Sequence, residues 1–438
     1  MLKKNMTKNN STTRLSFLDA AFYSLMVGAG ETYLVAFALE LGVSERSTAV
    51  LAILPLTMGA ALQLTSSFFT RIVGSRRLWV VICSVLQAVA VGMTASAAID
   101  LHVDQRYAIL FCSATLYWAA GFSAGPSWNV WISQIVDSSS QMSFFMWRNV
   151  IIQVCTLLGL GLAGLFLQQA EANKTALVFI MIFILSAIAR IASSYFLWRH
   201  PDSDSPMTPQ EILPPLFHWL KKPLVAYCFA FTFLLQCSVH ISAPFFAPYM
   251  LNKLNFSILE YTELLGIALV ARMSVGYVFR KTNRKYGVQS MFVAGCIMIA
   301  PIPFLWTLGD HFYYLLMLQI LSGLAWGAYE IGLLLFLMQT ITHDERSRLL
   351  TWNNLTSALG MALGVLLGWF LAQVSNPEKE TYHFLFTLSS GARVLPLCLI
   401  GGFVYAIKPG KIYFRILGIR ATGSAIMKPL LARKESSK

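Results

Sequence analysis

The chain has 438 residues, 56% of them hydrophobic and only 12% charged, and its 33 Lys and Arg against 20 Asp and Glu give a net charge of +13. Roughly a quarter of the residues in a soluble domain are charged, so this chain cannot clothe a water-facing surface of its size and is expected in a bilayer. Seven cysteines stand singly in apolar runs without CxxC spacing or a histidine at ligand distance, which argues against a disulfide framework or zinc site.

Residues 1–14 carry Lys3, Lys4, Lys8 and Arg14 among Asn and Thr and read as a polar cytosolic tail, not a cleaved signal. Twelve apolar runs follow, near 15–41, 47–70, 78–98, 107–135, 144–168, 176–198, 223–250, 261–280, 288–308, 312–338, 351–373 and 383–406. Each approaches the ~20 residues that cross the hydrocarbon layer. Of the 33 Lys and Arg, 23 fall in the tails and even-numbered loops, five in odd-numbered loops and five within spans. Positive charge stays inside, so both termini are expected in the cytoplasm, in a bacterial inner membrane. Charge spread over one membrane face suits anionic headgroups and gives no sign of nucleic-acid binding.

The chain also repeats itself. Gln134, Trp147, Asn149, Gly159 and Gln168 recur as Gln339, Trp352, Asn354, Gly364 and Gln373, always 205 positions later, and LSAIAR ending at Arg190 returns as LSSGAR ending at Arg393, an offset of 203. Two copies of six spans are therefore expected, at 15–198 and 223–407. The polar 199–222 stretch joins them as a cytosolic linker, where Thr208, Pro209 and Glu211 read as the start of a short amphipathic helix. A basic tail, 408–438, follows the last span.

Two six-span copies with a basic turn after spans 2 and 8 resemble the major facilitator superfamily of secondary transporters. The turns are Thr70-Arg71-Ile72-Val73-Gly74-Ser75-Arg76-Arg77 and Asn283-Arg284-Lys285-Tyr286-Gly287. The resemblance implies an all-α fold of twelve transmembrane helices in two pseudo-symmetric bundles, with Arg71, Gly74, Arg284 and Gly287 at the cytoplasmic ends. It also implies a monomer, not an enzyme, that moves a small solute by alternating access without a cofactor, with protons as the candidate coupling ion. The family's usual turn begins with an acid, where this chain has Thr70 and Asn283, so its charge lock is expected to be weakened or replaced. Drug exporters of the family carry a span-4 arginine four residues before a glycine; counting back from Gly121, this chain has Tyr117. Drug–proton antiport therefore loses support, and a non-transporting assembly or lipid-handling protein on the same fold is the other reading.

In the resemblance, spans 1, 4, 7 and 10 line the central cavity, and those spans hold the unusual residues. An ionised carboxylate at mid-membrane costs ~2.5–3.5 kcal/mol on insertion scales, so such groups default to function. Glu31 leads the proton-coupling candidates, with Glu330 and His240 behind it. Projected on a helix, Ser24, Gly28, Glu31, Val35 and Ala38 form a small-residue stripe, with Phe22, Met26, Tyr33 and Phe37 opposite and turned to lipid. Arg272, Gln236, Trp128, Asn129, Gln319 and Tyr117 are the substrate-binding candidates, Arg272 as holder of an anionic group or as partner to Glu31. Arg190 and Arg393, duplicated in peripheral spans, are expected to bond helix ends or carbonyls. Pro244 and Pro248 flank Phe245 and Phe246 in an expected outer gate. No GxxxxGK[ST] loop occurs, so ATP is not the direct energy source.

Overall fold

A computed structural model describes residues 2–99, 102–136, 141–171, 174–202, 216–340, 346–374 and 379–399. Its elements among these residues are helical, with no strand. In the first half they are α1 (Leu2–Ala29), α2 (Leu34–Glu40), α3 (Glu45–Leu62), α4 (Ser66–Val73), α5 (Arg76–Ser96), α6 (Val103–Ile135), α7 (Gln141–Gln168) and α8 (Thr175–Arg199). A short α9 (Leu216–Leu220) leads into α10 (Pro223–His240), α11 (Phe246–Pro248), α12 (Ile258–Ile299), α13 (Ile302–Leu305), α14 (Phe312–Thr340), α15 (Arg346–Val374) and α16 (Lys379–Ala392).

Local chemistry sets the boundaries. Gly74, at φ +77°, ends α4 in the left-handed region that a side chain disfavours, and Ser75 then caps α5 by accepting from the Leu78 amide at 3.1 Å. Ser44 caps α3 through the Ser47 amide at 3.2 Å. Ser257 and Glu260 form a reciprocal capping box at the start of α12.

Nine helices among the described residues are long and apolar enough to cross a membrane, which makes the chain an integral multi-pass membrane protein. Three expected spans are not among the nine. Those at 261–280 and 288–308 run together in α12, so the backbone at Arg284 and Gly287 is helical where a basic turn was expected. Nothing from Arg280 to Tyr286 breaks a helix, and a lone Gly287 costs only about 1 kcal/mol relative to alanine. The last expected span, 383–406, begins in α16 and passes beyond the described residues. Residues 2–14 of the expected tail continue α1 as helix, while the proposed cap at Thr208 and the 408–438 tail lie outside the described residues.

Packing keeps each half together. In the first, α1 lies on α7 and α8, α5 on α6 and α8, and α3 on α6; in the second, α10 lies on α15, α12 on α14, and α13 on α16. The halves meet along α3–α15 and α7–α12. The duplication extends to contacts: Gly159 seats against Leu25 and Ala29, while its repeat Gly364 seats against Cys237 and His240. Likewise Gly30 lies beside Ser186, and Ser242 bonds Ser389, the repeat of Ser186, at 2.9 Å.

Candidate functional site

Span 1 is interrupted at the residue of interest. After Ala29 the α-helix gives way to a 3-10 turn, Glu31–Tyr33, before α2 resumes. Glu31 is half-buried there, and its carboxylate accepts the Tyr117 hydroxyl of α6. Two of the sequence candidates are thus brought together. The change of pitch also overturns the stripe: Met26, Tyr33 and Phe37 are all fully buried, not turned to lipid. A 3.6-residue projection fails across a 3-10 turn, and this helix is covered on two sides by α7 and α8. Tyr33 instead donates to the Leu160 carbonyl at 2.9 Å and meets Thr262 of the second half at 2.6 Å.

Toward the Ser75 end of the first half lies a charge cluster that sequence reasoning missed. Asp19 is 2% exposed, and its Oδ2 accepts Arg148 Nη2 of α7 at 2.9 Å. Its Oδ1 accepts the Ser193 hydroxyl at 2.7 Å and lies 4.0 Å from Arg190 Nη1. Arg190, also buried, donates Nε and Nη2 to Gln87 Oε1 at 3.0 and 2.6 Å and Nη1 to Ser193 at 2.5 Å. Its guanidinium stands 4.8 Å from the Tyr23 ring, and that of Arg148 lies 4.1 Å from the Trp128 ring. Trp128 therefore packs on a cation, while Asn129 beside it is exposed. Just beyond α8, His200 is 1% exposed with neither ring nitrogen bonded, and burial lowers its pKa to about 4. The signals for this cluster were present: Asp19 is an acid inside an expected span, and Arg148 stands between duplicated Trp147 and Asn149.

The second half is arranged otherwise. Arg272 of α12 donates Nε to Glu330 of α14 at 2.7 Å and a second bond through Nη2. Its partner is therefore Glu330 rather than Glu31, and both side chains are over two-fifths exposed. Along α10, Thr232 reaches Asn353 of α15 at 3.4 Å, His240 Nδ1 sits 2.9 Å from the Gln236 carbonyl, and Gln236 Oε1 is buried without a partner. Asn353 occupies the position 205 residues after Arg148. Gln319 is partly buried on α14. Arg393 donates Nη1 to the Ile299 carbonyl at the end of α12 at 2.9 Å, with Ser242 at 3.5 Å. Arg393 thus bonds a helix end, whereas Arg190 bonds side chains.

The sequence profile of the Major Facilitator Superfamily matches residues 16–365. The chain belongs to that superfamily, whose members are secondary transporters, and it is a transporter rather than an enzyme. No curated protein sequence matches it. Solved transporters share its fold: a D-xylose-proton symporter at TM-score 0.69 and 13% identity, covering 89% of this chain and 96% of that one. A bacterial homologue of the iron transporter ferroportin, in its inward-facing state, gives 0.68 at 14% identity, covering 90% and 98%. The nucleoside transporter NupG gives 0.62 at 14% identity, covering 92% and 100%.

Both ends of this superfamily bundle carry polar fastenings. At the end holding Glu45, span 7 loses α-helical form after His240, passing through a 3-10 turn at Ala243–Phe245 and a π turn at Tyr249–Lys253. Pro244 and Pro248 lie in that irregular stretch, and Phe246 stacks on Phe386 at 4.4 Å and meets Trp306 at 4.9 Å. Glu45 of the first half crosses to the second, accepting Asn252 at 2.7 Å and the Tyr382 hydroxyl, with Lys253 at 3.6 Å. At the Ser75 end, Thr70 is buried and bonds Ser127 at 2.8 Å, and Arg71 is exposed. The acid missing from the turn is supplied by Asp202, bonded to Ser75 at 2.7 Å and 3.7 Å from Arg77. The side chain of Arg284 lies outside the described ones.

Proposed function

We propose that this protein is a secondary active transporter that moves a small solute across the bacterial inner membrane by alternating access, with proton coupling at Glu31. The observation that carries the reading is the Glu31–Tyr117 contact at the break in span 1. Among the described residues this carboxylate has a phenol as its hydrogen-bond donor and no ion-pair partner. A membrane carboxylate held by a neutral donor can gain and lose a proton without breaking a salt bridge, whereas one locked to arginine resists protonation. Glu330, bonded to Arg272, and His240, with one ring nitrogen engaged, are less free to play that part.

Alternating access is supported by the two ends. Contacts from Glu45 to Asn252, Lys253 and Tyr382 tie the halves together at the end that the charge distribution assigns to the outside, above the aromatic cluster around Phe246. Deeper in the spans, Arg272 and Glu330 stay half exposed. A half-exposed ion pair facing lipid would be costly, so the pair fits a water-filled cavity open to the cytoplasm. There Arg272 and Gln236 are the groups offered to a solute, with both termini and the 199–222 linker cytoplasmic.

The test is solute flux in proteoliposomes under an imposed pH step, once a thermal-shift screen of small solutes has found a ligand. Glu31→Gln, which keeps size and hydrogen bonding, is expected to abolish gradient-driven flux and spare binding. Gradient-driven flux at the wild-type rate would remove Glu31 from the mechanism. Failure of every solute to bind, with assembly or lipid phenotypes instead, would favour the non-transporting reading.

A further inference from the structure

The duplicated arginines differ in what they hold. Arg393 spends its bonds on the Ile299 carbonyl and Ser242, at the end of a helix. Arg190 grips one atom, Gln87 Oε1, through two of its nitrogens. The other end of that amide points onward: Gln87 Nε2 donates to the Tyr117 carbonyl at 3.3 Å. The same Tyr117 sends its hydroxyl to Glu31. Gly121, one turn along α6, leaves room for the amide, since a Cβ there would lie 2.5 Å from Gln87 Nε2.

We propose that Arg190 is a positioning residue for the Glu31 site, acting through Gln87 and Tyr117 to aim the phenol and supplying a buried positive charge. This rests on the reading of Glu31 as the coupling carboxylate. The geometry forms one chain across four elements: Arg190 of α8 holds Gln87 of α5, Gln87 holds Tyr117 of α6, and Tyr117 holds Glu31 after α1. Tyr23 of α1 lies under the Arg190 guanidinium, its ring 4.8 Å away. The charged and titratable groups around the site are Tyr23 and Asp19 from α1, Tyr117 from α6, Arg148 from α7 and Arg190 from α8. Two cations face one carboxylate at Asp19, leaving one positive charge in excess. An ionised Glu31 balances it; a protonated Glu31 does not.

The inference has a signed test that needs no solute. The protonated carboxyl of Glu31 has an infrared C=O band, assigned by its loss in Glu31→Gln, and the pH at which the band disappears is read in full-length protein in bilayers. Arg190→Gln removes the excess charge and is expected to move that midpoint up by about one pH unit or more. Asp19→Asn releases more positive charge and is expected to move it down. Arg393→Gln, the duplicated position, is expected to leave it in place. Opposite signs are not what a packing defect gives, and Asp19→Asn keeps the test open where Arg190→Gln does not fold. Midpoints within about 0.3 units of wild type in folded Arg190→Gln or Asp19→Asn protein, or shifts of the same sign in both, would overturn the assignment. The band reports on Glu31 directly, so this result stands apart from whether Glu31 drives flux.

Discussion

The two halves of this transporter descend from one pattern but have placed their buried charges differently. In the first half, Asp19, Arg148 and Arg190 form a closed cluster with Ser193 and Gln87, sheltered from solvent. In the second, Asn353 stands where the repeat would put Arg148, Arg393 bonds a helix-terminal carbonyl, and the Arg272–Glu330 ion pair is half exposed. The difference teaches that repeated residues need not keep repeated partners. A buried guanidinium must be satisfied, and each half did so with what its neighbouring helices offered.

Asp19→Ala should break this comparison most severely. Removing the acid leaves the buried Arg190 and the partly buried Arg148 short of a counter-charge, at a cost of about 3–5 kcal/mol, read as a large fall in the thermal midpoint of detergent-solubilised protein. A loss under about 1 kcal/mol would mean that Asp19 is hydrated. Next comes acid sensitivity through His200. Its folded pKa, about 4, lies below the usual 6.5, so the unfolded chain binds the extra proton between those values. Stability is thus full above pH 6.5 and falls as pH drops toward 4, by up to about 3 kcal/mol. His200→Phe should flatten that dependence, and an unchanged slope would contradict it.

Arg393→Gln sharpens the contrast, because it removes a carbonyl bond without stranding an acid. Its expected cost is smaller, about 1–3 kcal/mol. Equal losses for Arg393→Gln and Asp19→Ala would erase the distinction between the halves. The smallest effect falls on Glu45→Gln, whose partly exposed contacts contribute at most about 1 kcal/mol. Weakening the latch is expected to raise labelling of Cys237 by an impermeant thiol reagent added at the Glu45 end, and unaltered labelling would assign the closure to the aromatic cluster alone.

Much of this architecture is legible in the sequence, because its causes are local or periodic. Apolar run lengths, the 205-residue echo and the Gly74–Ser75 break each follow from chemistry visible in a short window. Glu31 stands out for the same reason, as a charge in an apolar run. What escapes depends on changes of pitch and on partners far along the chain. No proline marks the 3-10 turn at Glu31, so the projected stripe sends Met26, Tyr33 and Phe37 to the wrong side. Asp19 sits near the start of a span, where an acid passes for a boundary charge, although the rule that singles out Glu31 applies to it as well. Arg148 likewise sits near the start of a span, and its bond to Asp19 joins residues 129 apart. The Arg272–Glu330 pair joins residues 58 apart on two helices whose contact no periodicity announces.

The central claim is a division of labour, with the proton handled in the first half and the solute in the second. Its most direct measurement sets Glu31→Gln beside Arg272→Gln in proteoliposomes, comparing flux driven by a pH step with solute counterflow at equal pH. The account predicts that Glu31→Gln loses the driven flux and keeps counterflow, while Arg272→Gln loses both. Driven flux surviving in Glu31→Gln, or counterflow intact in Arg272→Gln, would contradict it.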